Sequence, residues 1–488
     1  MRRRDFTKLA LAGATLLSRI AVGAYGALLI GTAALAQTSP PTPAPAAPAP
    51  AVSAPSAPAP AAPQFPPTAT ITTPGYPGVG PADSKLRVVG VPGGKKVHLL
   101  PATLETTQWG WFDNAQPPVL RVHSGDTVVL ETMMHSHNQI VPGTTIEQIK
   151  KTRTDFPGRG PHTLTGPIYI EEAQPGDVLK VTINKIVPRA YATNFNVPGM
   201  FGQFPSVYSD GQVKYMYLDL DKMTTEFLPG IVLPIRPFPG TLAVARKDPG
   251  RYSSVPPGEF AGNMDIRDLV AGTMLYVPVH VPGALLWTGD SHAGQGNGEV
   301  NLTAIETAYK EFNITVEVIK GKPLDFPRIE TAKSWITMGF DQDMNKAWAQ
   351  AKAQTVKFLA EQRKIPAEQA EKLMASVSDC RVSQVVNVKK GVHCLNPKNT
   401  RDKEDMERPT KETPKYLVSH VKDADLNKAM NEASMGMIKL LESEKKIARL
   451  DAYGLASVAM DCRVGAMSDT EKNVHCLMPK SIWVAGKR

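Results

Sequence analysis

The sequence of 488 residues predicts an α+β fold, in which a β-rich, layered, sandwich-like core is followed by a helical α/β unit present in two copies. Between residues 68 and 330, short β-branched runs alternate with Gly, Pro and Asp, which is typical of strands joined by turns. After Asp341 the pattern changes, because residues 344–362 and 426–446 carry apolar side chains at helical spacing. We therefore expect layered sheets in the first part of the chain and helices in the second.

Residues 1–36 have the features of an export signal. An Arg-Arg pair at positions 3 and 4 begins the twin-arginine pattern R-R-x-F-x-K, and Ala34–Ala36 offers a small-residue cleavage site. Arg19 interrupts the apolar run between them, which argues against the alternative of a stable membrane anchor. We expect export to the periplasm by the twin-arginine machinery. No membrane span would remain after cleavage, and a retained signal would tether the protein near the membrane.

The segment at residues 37–67 consists mostly of Pro, Ala and Ser, and predicts a polyproline-like tether without a core. The net charge is +9 at pH 7, but no basic stripe with interleaved aromatic residues accompanies it. Nucleic acid is therefore not expected as a partner. A solvated, lysine-rich face accounts better for the positive charge.

An internal repeat marks the C-terminal part of the chain. Two segments of the first copy return in the second: Ser378–Val382 as Met460–Val464, and Val392–Lys398 as Val474–Lys480. We assign the copies to residues 331–400 and 414–484. Each copy is expected to contain two helices, a strand and a short His-Cys segment.

All four cysteines lie in this repeat, with the same separation in both copies. In an oxidising compartment this regularity predicts two disulfides, Cys380–Cys394 and Cys462–Cys476. The alternatives are inert thiols and a zinc site, the latter since a histidine precedes the second cysteine of each pair. Local zinc motifs need C-x-x-C spacing, which is missing.

The stretch from Gly283 to Glu306 contains carboxylate and imidazole side chains close together in the sequence. Asp290, His292 and Glu299 follow an apolar run that predicts a buried strand, and they lie in or beside a glycine-rich loop that can bend tightly. Carboxylate and imidazole groups are the ligands that hold a zinc-like ion while leaving a position open for water. The sequence therefore predicts a metal site at the end of this strand.

Further candidate groups lie elsewhere in the β region. His135 and His137 follow a strand, and on extended backbone both would point to one face and could bind the same ion. His162 precedes another strand, and Asn263 and Asp265 lie in a loop. Each has an ordinary alternative: His162 as a hydrogen-bonded structural residue, and Asp265 as a turn cap.

Ser291 offers a different chemistry. The segment Gly289–Ala293 is a near match to the nucleophile motif G-x-S-x-G, so Ser291 is a candidate nucleophile. Neither a P-loop nor a G-x-G-x-x-G motif occurs in the sequence.

Several long motifs together resemble the acetamidase/formamidase family. They are residues 162–171 with 174–179, 262–265, 289–293 with 296–300, and 335–341. The resemblance implies a β-rich fold with C-terminal helices, and metal-dependent hydrolysis of short aliphatic amides such as formamide or acetamide to ammonia and a carboxylate.

The resemblance also assigns residues to the site. It implies that the active-site groups are Asn263, Asp265, Asp290, His292 and Glu299. This sequence departs from the family pattern at two places: Asn297 stands where an acidic residue is usual, and a second C-terminal unit is present where one is normal.

From the residues and the resemblance together we expect a divalent ion, zinc in the first instance, with calcium as an option at a second site. The expected ligands are His135, His137, Asp265, Asp290 and His292. The expected catalytic residues are Glu299, as proton carrier, together with Asp290 and His292. The expected substrate contacts are Asn263, His162 and Trp287. Either Trp287 or Phe201 is expected to form the roof of a small pocket. We also expect a homo-oligomer. The alternatives are a catalytically inactive periplasmic protein that binds amides, and an amidase with Ser291 as nucleophile.

Overall fold

The computed structural model describes residues 87–90, 94–399, 407–465 and 471–484. The predicted export signal and tether lie outside the described residues. Within the described part of the chain, two large sheets and a two-stranded sheet are combined with helices, and the longest helices lie near the C-terminus. The predicted α+β class is confirmed.

The first sheet has 13 strands and continues from the β-rich core into both C-terminal units. Numbered in chain order and given in spatial order, its strands are β1 (Arg87–Gly90), β2 (Lys96–Leu100), β6 (Thr127–Leu130), β19 (Tyr309–Ile319), β8 (Val178–Pro188), β16 (Met274–Pro278), β20 (Arg328–Glu330), β21 (Ser334–Asp341), β23 (Lys390–Pro397), β22 (Asp379–Gln384), β25 (Asp461–Val464), β26 (Lys472–Pro479) and β24 (Tyr416–Asp423). Because this sheet runs without a break across residue 330, the domain boundary placed there stays a prediction.

The second sheet has 11 strands and belongs to the β-rich core. Its main path is β12 (Ile231–Pro234), β11 (Thr224–Leu228), β10 (Val213–Asp219), β9 (Tyr191–Phe195), β18 (Ile305–Thr307), β17 (Leu286–Gly294), β13 (Phe238–Ala243) and β15 (Ala261–Asn263). Strand β7 (Thr163–Ile170) joins this path at β17 and also pairs with β3 (Thr107–Trp109) and β5 (Leu120–Val122). The separate pair is β4 (Trp111–Asp113) with β14 (Arg251–Ser253).

Apolar side chains from both sheets form one buried cluster. Val181 and Ile314 of the first sheet contribute to it together with Leu164, Leu242 and Leu286 of the second. These five side chains are almost completely removed from solvent. Burial on this scale is the main favourable contribution to folding, so the two sheets pack as layers of one core.

The helices are α1 (His135–Asn138), α2 (Ile146–Thr154), α3 (Met344–Arg363), α4 (Ala367–Val377), α5 (Leu426–Lys445) and α6 (Arg449–Ala459), with a short 3₁₀ turn at Lys480–Ile482. The two long helices expected from periodicity, α3 and α5, are confirmed. No described helix combines the length and the apolar character that crossing a bilayer requires.

Each C-terminal unit has the same element order of strand, helix, helix, strand, strand. Asp343 and Asp425 cap the first helix of their unit by accepting hydrogen bonds from backbone N–H groups of the first turn. Lys364 and Lys446 follow these helices in the left-handed conformation. The His-Cys segments are themselves strands, β23 and β26, which the sequence pattern did not predict.

The two units are joined edge to edge. Strand β22 pairs with β25 in antiparallel register, which places Arg381 opposite Arg463. Both predicted disulfides, Cys380–Cys394 and Cys462–Cys476, are confirmed, and each links two paired strands within its own unit.

Replacing Cys462 and Cys476 by alanine should lower the free energy of unfolding by about 2–4 kcal/mol, because the unfolded chain loses a covalent loop constraint. Urea denaturation followed by circular dichroism measures this difference. A reductant should lower the wild-type midpoint and leave that of a variant without cysteines unchanged. A wild-type midpoint insensitive to reductant would contradict the expectation.

Candidate active site

Strand β17 is the element on which the site is built. The apolar run was expected to end before Gly289, but the strand continues to Gly294 and carries Asp290 and His292 within it. All nine residues of the strand are buried, because β13 pairs along one edge while β7 and β18 share the other. Gly289 is required here, since a Cβ atom would lie 2.1 Å from the Thr163 carbonyl oxygen.

Asp290 lies at the centre of a buried group of histidines and carboxylates. Its Oδ1 atom is 3.0 Å from His135 Nε2 and 3.2 Å from His292 Nε2. Its Oδ2 atom is 3.6 Å from His162 Nε2. Glu306 Oε2 completes the group at 3.1 Å from His292 Nε2 and 3.4 Å from His135 Nε2.

A second group adjoins the first on the other side of His292. Asp265 Oδ1 is 3.8 Å from His292 Nδ1, and Glu299 offers an oxygen within 4.8 Å of both residues. Asp265, Asp290 and Glu299 have φ angles of 50°, 49° and 50°, a region that non-glycine residues rarely adopt. Such strain costs on the order of 1–3 kcal/mol per residue, and it concentrates at functional sites.

Burial and charge divide the carboxyl groups of the site into two kinds. Burial raises the pKa of Asp265 and of Glu299, and negative charge on neighbouring carboxylates raises both further. Burial alone would also raise the pKa of Asp290, but His162 and His292 hold it well below its ordinary value. The pKa values of neighbouring carboxyl groups are therefore shifted in opposite directions.

For the imidazole of His292, burial and neighbouring charge act on the pKa in opposite directions. Burial alone would lower its pKa, but the charges of Glu306 and Asp290 outweigh burial and raise it well above the ordinary value. His162, which has weaker compensation, has its pKa lowered to about 4 by burial. His162 is therefore a neutral imidazole at neutral pH, the form in which histidine binds metal ions.

The residues fit a metal ion. Several buried atoms have no hydrogen-bond partner among the described residues, namely His135 Nδ1, His292 Nδ1, Asp265 Oδ1 and Glu299 Oε2. Unpaired buried polar atoms are rare in proteins and need an explanation. Three sets of residues bring their ligand atoms within 4.8 Å of one another: His135, His162 and Asp290; Asp265, His292 and Glu299; and Asp290, His292 and Glu306.

A cavity of 480 Å³ opens onto these groups. The polar part of its lining includes His135, His162, Asn263, Asp265, Asp290, Glu299 and Glu306. The apolar part includes Ile140, Ile149, Phe195, Val197, Phe201 and Leu302. The side chain of Asn263 lies at the wall with its hydrogen bonds already made, to Thr241 and to the Val255 carbonyl oxygen.

One predicted metal ligand, His137, does not join the site. His135 and His137 do not lie on extended backbone, because Ser136 and His137 have left-handed φ angles of 55° and 53°. The ring of His137 consequently faces Trp109, with 5.9 Å between ring centroids, and lies apart from the clusters. His137 thus does not share a cluster with His135, which lies instead with His162 and Asp290.

Trp287, which was expected to contact the substrate, does not lie at the cavity either. Its side chain is completely buried against Phe112, with 5.7 Å between ring centroids, and it does not line the cavity. Of the two aromatic residues expected at the roof, only Phe201 lines it. Ser291 lies outside the lining as well, because alternation along β17 turns it away from Asp290, and its hydroxyl hydrogen-bonds Thr132 at 2.6 Å.

Two site residues escaped the sequence analysis. Glu306 faces His292 across the β17–β18 pair, and an acidic residue within the apolar segment Ala304–Ala308 was a usable signal. Asn387, in the first C-terminal unit, donates a hydrogen bond to Asp265 Oδ2. Nothing local in the sequence indicates the role of Asn387, because its position depends on how the unit packs on the core.

The loop that carries Glu299 is held by both C-terminal units. From the first unit, Val385 N–H donates to the Gly298 carbonyl oxygen at 3.1 Å, and Gly298 N–H donates to the Ser383 carbonyl oxygen at 3.2 Å. From the second unit, Ser457 accepts a hydrogen bond from Gly296 N–H at 2.9 Å.

Asn297 makes the central contact with the second unit. Its side-chain N–H donates a hydrogen bond to Asp461 Oδ1 at 2.6 Å, and its main-chain carbonyl oxygen accepts one from Cys462 N–H at 3.1 Å. Burial alone would raise the pKa of Asp461, but Arg267 and Arg463 hold it below its ordinary value. An acidic side chain at position 297 would therefore meet a buried carboxylate, which explains why an amide suits this chain.

Replacing Asn297 by aspartate should lower the free energy of unfolding by about 1–3 kcal/mol, since a buried hydrogen bond is lost and two carboxylates face each other. Urea denaturation of this variant, of Asp461→Asn and of the double variant gives a double-mutant cycle. The double variant restores an amide–carboxylate pair, so its loss should be smaller than the two single losses combined. Additive losses would contradict the contact.

Comparisons with known proteins agree with this architecture. The profile described as "Acetamidase/Formamidase family" matches residues 104–251 and 250–400, more than half of the chain. The match ends before the second C-terminal unit. Among solved structures, an acetamidase from Bacillus halodurans is 28% identical with a TM-score of 0.56, covering 61% of this chain and 97% of that one. A predicted acetamidase/formamidase from Thermoanaerobacter tengcongensis is 29% identical with a TM-score of 0.56, covering 62% and 96%.

Curated relatives are similar over shorter segments. The acetamidase of Mycolicibacterium smegmatis is 28% identical over 219 residues, which are 33% of this chain and 54% of the relative. The formamidase of Methylophilus methylotrophus is 24% identical over 245 residues, which are 39% and 59%. The chain thus spans a little over half the length of the curated relatives it matches. On the strength of the family profile, the chain belongs to the acetamidase/formamidase family.

Proposed function

We propose that this protein is an exported amidohydrolase that splits linear carboxamides into ammonia and a carboxylate, and that it depends on a divalent metal ion, zinc in the first instance. The observation that carries the proposal is the convergence of His135, His162 and Asp290 at one cavity that also contains Glu299. The names of the relatives, acetamidase and formamidase, support an amide as the substrate class.

His135, His162 and Asp290 are the residues that would hold the ion at the cavity. Two imidazoles and one carboxylate are a frequent ligand set of catalytic zinc. When bound, such an ion polarises a carbonyl oxygen and makes a coordinated water more acidic. His292 does not line the cavity, and we assign it to the support of Asp290 and Glu306, both of which contact its Nε2 atom.

Glu299 is the proposed proton carrier. Its Oε2 atom is buried, without a hydrogen-bond partner among the described residues, and the side chain lines the cavity. Glu299 takes a proton from the attacking water and delivers it to the amide nitrogen as the C–N bond breaks. The water oxygen forms the new bond to the carbonyl carbon, so the products are ammonia and the carboxylate.

Asp265 supports this exchange from the adjacent position. Asp265 and Glu299 bring their carboxylate oxygens within 4.8 Å of each other, and Asn387 donates a hydrogen bond to Asp265 Oδ2. Two neighbouring carboxyl groups favour sharing one proton over carrying two negative charges. Asp265 thereby keeps a proton near Glu299 and fixes the orientation of that side chain.

The two alternatives are weaker on geometric grounds. An inactive amide-binding protein was suggested by the neutral side chain of Asn297, but that side chain pairs with Asp461 and does not line the cavity. An amidase using Ser291 needs that hydroxyl at the cavity, whereas it hydrogen-bonds Thr132 outside the lining.

Export to the periplasm is part of the proposal. It rests on the twin-arginine pattern and on the two disulfides, which persist in oxidising compartments. Assembly into a homo-oligomer stays a prediction.

Replacing Glu299 by glutamine should lower the rate of ammonia release from acetamide by roughly 10²–10⁴-fold, the usual contribution of a general base. Ser291→Ala, on strand β17 before the loop that carries Glu299, is the matched control and should retain turnover. Coupled detection of ammonia measures both. Full activity of Glu299→Gln, or loss of activity confined to Ser291→Ala, would contradict the proposed roles.

A further inference from the structure

The cavity is larger than short amides require. One water molecule occupies about 30 Å³ of the liquid. Acetamide has four non-hydrogen atoms and is only a few times larger than a water molecule, so it would leave most of the 480 Å³ to water. This volume falls within the range of cavities that bind ligands of drug size. The space beyond the catalytic groups therefore accommodates a substantial part of a substrate.

The walls of that space are largely apolar. Ile140, Ile149, Phe195 and Val197 form a buried cluster of their own, against which Phe201 and Leu302 pack. All six line the cavity. A wall of this kind gains free energy by covering a hydrocarbon chain, and gains nothing from the amide group itself.

Two arginines interrupt the apolar wall. Arg153, near the end of α2, and Arg159, shortly after it, both line the cavity. The guanidinium carbon of Arg153 lies 5.1 Å from the ring centroid of Phe201, and that of Arg159 lies 4.6 Å from that of Trp109. Stacking on a ring holds a guanidinium in place while leaving its N–H groups free to donate.

Neither guanidinium has an acidic partner within the described part of the chain. No ion pair or side-chain hydrogen bond joins Arg153 or Arg159 to a described residue, whereas Lys151 of the same helix pairs with Asp155 at 2.6 Å. Burial without a counter-charge lowers the pKa of Arg153 to about 10. Two unpaired, partly buried cations at one apolar wall need an anion, because desolvated charge is costly unless it is paired.

Building on the proposed function, we infer that the preferred substrates are amides with an aliphatic chain that ends in a carboxylate. The amide lies at Asp290 and Glu299, the chain lies along the apolar wall, and Arg153 and Arg159 bind the terminal carboxylate. Planar guanidinium groups match carboxylates in geometry, and such pairs are among the stronger hydrogen-bonded contacts.

Three amides of matched length test this inference: hexanamide, adipic acid monoamide and 6-aminohexanamide, which are neutral, anionic and cationic. We expect kcat/KM to be roughly 10–100-fold higher for the anionic amide than for the neutral one, as a charged hydrogen-bonded contact contributes, and lowest for the cationic amide. Equal values for the anionic and neutral amides would overturn the inference.

Variants separate recognition of the carboxylate from a general electrostatic role. Arg153→Gln and Arg159→Gln should each reduce the advantage of the anionic amide mainly through KM and leave hexanamide turnover nearly unchanged. Lys151→Gln removes a charge from the same helix outside the cavity lining, and should preserve the advantage. If the arginine variants slow all three amides equally, they serve the catalytic groups and the inference is wrong.

A binding measurement keeps this test independent of turnover. Calorimetry on the Glu299→Gln variant should show tighter binding of the anionic amide than of hexanamide, and this difference should disappear when Arg153 is also replaced. Tighter anion binding in a wild-type protein that releases no ammonia from any amide would overturn the proposed function, while recognition of the carboxylate by the two arginines would stand. Equal binding of both amides would overturn the inference.

Discussion

Four carboxyl groups, those of Asp265, Asp290, Glu299 and Glu306, meet in a buried region that also contains three imidazoles. Like charges this close cannot all ionise without compensation. Histidines supply part of it, which lowers the pKa of Asp290, while Asp265 and Glu299 keep raised pKa values. A divalent cation would supply the rest, and several buried atoms of the cluster have no hydrogen-bond partner among the described residues.

Such a cluster has to be enforced by the surrounding fold, because it costs free energy to assemble. Strand β17 fixes Asp290 and His292 by pairing on both edges, and the two C-terminal units hold the loop that carries Glu299. The second unit is thus part of the active-site scaffold through Asn297 and Asp461. The second unit lies beyond the residues that match the family profile, yet through this contact it helps to hold the loop that carries Glu299.

The features set by local interactions could be predicted from the sequence. Asp343 and Asp425 cap helices that apolar periodicity had indicated, and equal cysteine spacing identified both disulfides. Features set by tertiary pairing could not. The strand carrying Asp290 is longer than its apolar run because its neighbours pair with it. The left-handed backbone at His137 turned that ring away, and Asn387 reaches Asp265 only after the first unit packs on the core.

Amide hydrolysis by this protein should depend on a metal ion that balances the buried negative charge. Elemental analysis of the purified protein, before and after dialysis against a chelator, measures this dependence when ammonia release from an amide is followed on the same samples. We expect at least one divalent ion per chain, loss of activity on its removal, and recovery on adding zinc. A protein that hydrolyses amides at full rate without any divalent ion would contradict this expectation.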